Sequence, residues 1–186
     1  MMQKIKPGKF KLKNDKTVFI RNAELKDAEK LLKYVELIFT DDSFFLTTTA
    51  EAQEWMNIEK TTERIQKHND KGKLLLLAEV DGILAGTTDI SHDDKKRIRH
   101  VGQLGMSILK EYRGIGVGSA LLQTAIDWAK QDPVIEKIGL GVHDTNIAAI
   151  GLYKKMGFVE EGRRIKEIKT APNEYNDIVM MYRLVN

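Results

Sequence analysis

The sequence predicts a mixed α/β domain in which helices pack against one sheet. Three features carry that expectation. Leu74–Val80 and Ile83–Ser91 flank Asp81-Gly82 as two strands joined by a tight primed turn. A strand over about Ile98–Leu109 runs into a glycine-rich turn and then a helix. The remaining periodicities complete the order β, α, α, three strands, α, β, α, β, β, with no internal repeat, low-complexity tract or linker between them.

Each element has its own local cause. Phe10-Lys11-Leu12 and Val18-Phe19-Ile20 straddle Asn14-Asp15, the pattern of a hairpin whose first arm is an edge strand with lysines facing water. Ala28, Leu31, Leu32, Val35 and Ile38 follow helical spacing behind Asp27 and Glu29, which favour a helix start. Phe44, Phe45 and Leu46 lie in a non-periodic stretch and suggest a lid or a cap on the core, and a helical region follows over about Glu51–Asn69. Ala120, Leu121, Leu122, Ala125, Ile126 and Ala129 recur as one buried helix face. Ile135–Val142 reads as a strand and Asn146–Met156 as a helix capped by Gly157. Two strands, about Phe158–Ile168 and Ile178–Leu184, flank a turn at Pro172-Asn173.

A length of 186 residues suits one domain with a sizeable core, so residues 1–186 are taken as one unit. Apolar residues at 42% and charged residues at 31% exclude disorder and fibrous classes. No apolar run approaches the roughly 20 residues of a membrane span, and Met1-Met2-Gln3-Lys4 lacks a signal-peptide pattern, so a cytoplasmic protein is expected. The absence of cysteine removes disulfides and thiolate chemistry. The formal charge of +3 is uneven: residues 1–16 carry six lysines and one aspartate, which leaves the body at −2. Such an arm could touch an anionic surface, but its alternation fits a solvated edge strand, and no nucleic-acid or membrane partner is expected.

The chemistry concentrates at Glu111-Tyr112-Arg113-Gly114-Ile115-Gly116-Val117-Gly118. Glycines at alternate positions between a strand and a helix let the backbone turn tightly. The free N–H groups of a helix start make an anion site, and Arg113 adds a cation, so the unit favours a phosphate or pyrophosphate. The spacing is not that of a P-loop. It narrowly misses the dinucleotide fingerprint, with Ser119 where a third small residue is needed and Glu136 as the acidic partner. The segment Gly105-Met106-Ser107-Ile108-Leu109 lacks the second glycine of a nucleophile elbow. His92-Asp93-Asp94 reads as a turn, and no metal is expected.

Arg113-x-x-Gly116-x-Gly118 resembles the acyl-CoA signature, Arg/Gln-x-x-Gly-x-Gly/Ala, of the GNAT superfamily of N-acetyltransferases. Asn146-Ile-Ala-Ala-Ile150-Gly-Leu-Tyr153-Lys-Lys-Met-Gly157-Phe158 resembles that superfamily's Asn-x-x-Ala-x-x-x-Tyr-x-x-x-Gly-Phe segment. The resemblance implies a mostly antiparallel sheet of about seven strands with about four helices. It also implies that the strands Gln103–Leu109 and Ile135–Val142 splay to admit the pantetheine arm of acetyl-CoA. Met106, Ser107 and Ile108 would line that arm, with the Met106 and Ile108 backbones polarising the thioester carbonyl. Gly114, Ile115, Gly116, Val117, Gly118 and Ser119 would present N–H groups to the pyrophosphate, beside Arg113. Asn146 would hold the cofactor arm and Tyr153, seven residues on and about 10 Å along the same helix face, would protonate the departing thiolate.

By the same resemblance the reaction is direct acetyl transfer to a primary amine, of a small molecule or a protein N-terminus, in a ternary complex. A glutamate base is common near the position of Gln103, and an amide has no basicity. Glu79, His100, His143 and Glu161 remain as candidates, beside a water relay or capture of the free amine. A second reading is a non-catalytic acyl-CoA-binding regulatory module, and a dinucleotide-binding oxidoreductase comes third. The superfamily's pairing of subunits through late strands admits a homodimer.

Overall fold

Among the described residues, runs of alternating or continuous apolar residues become eight strands of one sheet, in the order β1-β2-β3-β4-β5-β6-β8-β7. These are β1 (Gly8–Lys11), β2 (Thr17–Asn22), β3 (Leu74–Val80), β4 (Ile83–Ser91), β5 (Val101–Ile108), β6 (Lys137–His143), β7 (Val159–Ala171) and β8 (Glu174–Leu184). Among the described residues five α-helices join them: α1 (Ala28–Ile38), α2 (Thr49–Trp55), α3 (Ile58–Asp70), α4 (Val117–Ala129) and α5 (Ile147–Lys155). The structure is a computed structural model, and it describes residues 5–40, 48–70 and 73–185. Phe44, Phe45 and Leu46 lie outside the described residues.

The mixed α/β architecture is the one expected, with two corrections of number. The basic arm forms its own edge strand, β1, paired with β2 from Gly8↔Ile20 to Lys11↔Thr17, which raises the strand count to eight. The region expected as one helix over 51–69 is two. Met56 turns extended (φ −71°, ψ 109°) at the end of α2. Asn57 Oδ1 then accepts from the Lys60 amide at 2.8 Å and opens α3 as a fresh cap, because a short polar side chain competes with the helical ladder for the backbone.

The sheet is covered on both faces, which is why β3 reads as a continuous apolar run from Leu74 to Ala78. Leu74, Leu76, Ala78 and Val80 pack with the buried face of α4, while Leu75 and Leu77 pack with Leu31, Tyr34 and Ile38 of α1 and Ile65 of α3. The β3–β4 turn has Asp81 and Gly82 at φ 51° and 79°, the double positive φ that a primed two-residue turn requires. Charges staple α1 to the sheet. The Arg21 guanidinium donates to both Asp27 carboxylate oxygens (2.6 and 2.8 Å) and to Glu79 (3.0 Å), and Lys30 donates to Glu79 at 2.6 Å.

One pairing is short. β5 and β6 are the only parallel neighbours among the described strands, and they are joined at Val101↔Lys137, Gly102↔Ile138 and Gln103↔Gly139 alone. Beyond that point β5 stays with β4 as far as Ile108 and β6 stays with β8 as far as His143, so the two strands part.

Burial would raise the Asp27 carboxyl, but the Arg21 hydrogen bonds and the Glu24 amide outweigh it and hold the group below its ordinary value. Glu79 is likewise held low, Lys30 and Arg21 outweighing its burial. Their contribution is therefore complete above unfolded-state carboxylate values near 4 and is lost as pH falls through the lower folded-state values. Asp27→Ala is expected to lower the unfolding free energy by about 2–3 kcal/mol at pH 7, with the difference from wild type shrinking toward pH 3, as read by urea denaturation.

Candidate functional site

The parting strands open a cleft of about 920 Å³ between β5, β6 and α5. Alternation along β5 determines what faces it. The Leu109 amide donates to Ala85 of β4 at 3.0 Å and the Gly105 carbonyl accepts from the Thr88 hydroxyl at 2.8 Å, so odd-numbered residues turn their backbone groups toward β4. The N–H and C=O groups of Met106 and Ile108 then point the other way, into the gap. This places the two backbones that the family resemblance singles out along the open edge.

At the C-terminal end of β5 three glycines do two different jobs. Gly114 and Gly116 sit at φ 76° and 111°, conformations costly for any residue with a Cβ. Gly118 is needed for contact, since a Cβ there would stand 2.8 Å from Ile108 Cδ1 and 3.1 Å from Leu152 Cδ2. Together they bring the start of α4 against the strand end. Gly116 caps that helix without a side-chain hydrogen bond, and the first turn has no acidic residue, so the Val117, Gly118 and Ser119 amides form a positively polarised end. Arg113 Nε donates to the Ile108 carbonyl at 2.9 Å, which fixes the cation beside the gap. The loop is braced from behind, where the Lys13 amide donates to the Ile115 carbonyl at 3.0 Å.

Of the residues expected to bind the cofactor, Met106, Ser107, Ile108, Arg113, Gly114, Gly116, Gly118, Ser119, Asn146 and Tyr153 all line the cleft. Ile115 packs on the core and Val117 is fully buried in it, leaving only their backbones to the loop. Asn146 caps α5, its side-chain oxygen accepting from the Ala149 amide at 3.1 Å. Tyr153 is 6% exposed, its ring centroid 5.8 Å from that of Phe158, and burial pushes its phenol up to about 12, so it is protonated throughout the neutral range.

The four base candidates separate cleanly. Glu79 is tied to Arg21 and Lys30, Glu161 pairs with Lys137, and His100 lies away from the cleft lining. His143, at the end of β6, lines the cleft, and burial lowers its pKa below the ordinary imidazole value, against the opposing pull of Asp144. Two features escape sequence reasoning. Tyr34 shares a hydrogen bond of 2.9 Å with Ser107 beneath β5, and helical spacing from Leu31 was the available signal for it. Lys13 also lines the cleft, brought there by the hairpin turn, and nothing local in the sequence marks it.

The comparisons converge on one family. The model of the acetyltransferase (GNAT) family matches residues 33–158, more than half of the chain. An N-alpha-acetyltransferase of Sulfurisphaera tokodaii is 27% identical over 176 residues, covering 89% of this chain and 90% of that protein. An L-amino acid N-acetyltransferase of Escherichia coli is 32% identical over 109 residues, 59% of this chain and 67% of that protein. The crystal structure of a GNAT-family acetyltransferase from Streptococcus pneumoniae superposes with a TM-score of 0.85 at 31% identity, over 91% of this chain and 99% of that one. An acetyltransferase from Salmonella typhimurium, solved with acetyl-CoA, shares the fold with a TM-score of 0.79 at 16% identity, over 91% and 94% of the two chains.

Gly116→Ala is expected to cost about 1–2 kcal/mol of stability, the penalty of a Cβ at positive φ. Gly151→Ala, inside α5 with nothing within 4 Å of the added Cβ, should be neutral or stabilising by up to about 1 kcal/mol. Chemical denaturation of the two variants checks the contrast.

Proposed function

Because this chain belongs to the GNAT acetyltransferase family and is an N-acetyltransferase, we propose that it moves the acetyl group of acetyl-CoA to a primary amine by direct attack in a ternary complex. The observation that carries the proposal is the edge of β5 left unpaired by β6, where the Met106 backbone and the Ile108 amide face the gap while the Ile108 carbonyl is held by Arg113. An extended amide-bearing arm can complete that ladder as a strand would. The described residues act as one catalytic domain.

Each part of the site supports a step. The Val117, Gly118 and Ser119 amides at the start of α4, with Arg113 beside them, bind the pyrophosphate. Donors on β5 lie where negative charge develops on the thioester oxygen, an arrangement worth several kcal/mol. Tyr153 supplies the proton for the departing thiolate, its phenol neutral and facing the cleft. His143 accepts the amine's proton, directly or through water, since burial keeps its imidazole neutral at pH 7 and it alone of the four candidates lines the cleft. The chain has no cysteine, so no thiol-bound acyl-enzyme enters. The relatives carry names for acceptors as different as L-amino acids and spermidine, and amines are what those share.

Titration calorimetry should show binding of acetyl-CoA, with thiol release that depends on an added amine. Binding without release would favour a regulatory module. Tyr153→Phe should lower kcat about 10²-fold and leave the Kd for acetyl-CoA within about twofold of wild type; full turnover in that variant removes the acid assignment. The lowered His143 pKa places an acidic limb in the pH profile of kcat/KM below about 6.5, because the imidazole must be unprotonated to take a proton. His143→Gln should abolish that limb.

A further inference from the structure

Across the sheet from α4, a second cavity of about 450 Å³ lies between α3 and the β3–β4 hairpin. Lys60, Arg64, Lys67 and Lys73 line it against two carboxylates, Glu63 and Asp89. The cations on α3 recur at positions 60, 64 and 67, one stripe of the helix. A stripe of this kind on an open surface would only be solvated, but here it lines a cavity in which Asp89 is already paired.

Asp89 is already engaged, since Arg64 Nη2 donates to its Oδ1 at 3.0 Å. Lys60, Lys67 and Lys73 therefore face the cavity with no ion pair to a described residue. His68 is 8% exposed, and its Nδ1 lies 2.8 Å from the Arg64 carbonyl, which can only accept, so Nδ1 carries the proton. Its Nε2 is buried, without a hydrogen bond, and 3.7 Å from Asp89 Oδ2. With its proton on Nδ1, Nε2 is an acceptor beside a carboxylate, so Lys60, Arg64 and Lys67, and not His68, are the groups that would meet an anion.

The cavity also adjoins the reaction site. Ser91, on its wall, sits directly opposite Gln103 on the neighbouring strand, and Gln103 lines the donor cleft where β5 and β6 begin to part. Ser91 and Gln103 themselves lie one strand spacing apart, about 4.8 Å.

We propose that this basic cavity is the anion subsite of the acceptor: the amine that is acetylated is a small molecule carrying a carboxylate, held among Lys60, Arg64 and Lys67 while its amino group passes Gln103 toward the thioester. The proposal rests on the acetyltransferase reading given above. In the transfer, the amine nitrogen bonds to the acetyl carbon, the carbon–sulfur bond breaks, one proton leaves the nitrogen and one is taken up by the thiolate. A polycationic acceptor would meet like charge here and be rejected.

The test follows coenzyme A release from acetyl-CoA with each common L-amino acid, its C-terminal amide, and spermidine. For the best acceptor, kcat/KM of the acid should exceed that of the amide by about tenfold or more, with spermidine poorer than either. In the double variant Lys60→Gln, Lys67→Gln the acid-to-amide ratio should fall to within about threefold of unity. Amides used as well as acids, spermidine as the best acceptor, or a ratio that survives in the double variant would each overturn the subsite while leaving amine acetylation standing. No release with any amine, together with no heat on acetyl-CoA titration, would instead remove the donor reading on which the subsite depends.

Discussion

Three residue pairs hold β5 to β6, and everything that makes the molecule chemically useful follows from the fourth pair not forming. A sheet interior rarely leaves backbone groups unsatisfied. Here each strand keeps its other neighbour beyond the fork, β5 with β4 and β6 with β8, so the fold stays closed around the opening. The loss is confined to one edge of each strand. That edge is polar, extended and walled by α5, which suits an extended chain of amides better than a compact ligand.

The glycine loop and the fork depend on each other. Arg113 reaches back to the Ile108 carbonyl, the last backbone group of the open edge, while Gly118 lets α4 begin against the Ile108 side chain. The positive end of α4 is thereby placed at one end of the gap, with Tyr153 and His143 farther along its wall. The same strand is tied beneath by Ser107, which bonds Tyr34 at 2.9 Å and Thr87 at 3.2 Å. Burial raises the Tyr34 phenol to about 12 against the opposing pull of the Ser107 and Thr87 hydroxyls, and the Tyr34–Ser107 bond anchors α1 under the strand whose backbone the proposed chemistry uses.

Much of this was legible from residue order. The β3–β4 hairpin lies where Asp81-Gly82 puts it, and the two signature segments flank the cleft. What was not legible has physical causes. Ile98 was expected in β5, but Lys95–His100 coil into turns, the Ile98 and Arg99 amides both donating to the Lys95 carbonyl, and the strand starts at Val101. The Asn57 cap splits a stretch whose helical periodicity continues through it, because periodicity does not register a cap. The basic cavity joins α3 to Lys73 and Asp89, residues whose proximity is a product of tertiary packing alone.

The bond from the Lys13 amide to the Ile115 carbonyl has a practical corollary. The first hairpin is not a loose tail, because its turn buttresses the loop proposed to seat the pyrophosphate. An affinity tag or truncation at the amino terminus that unseats β1 would therefore weaken donor capture from a distance, and a preparation altered there could be mistaken for an inactive enzyme.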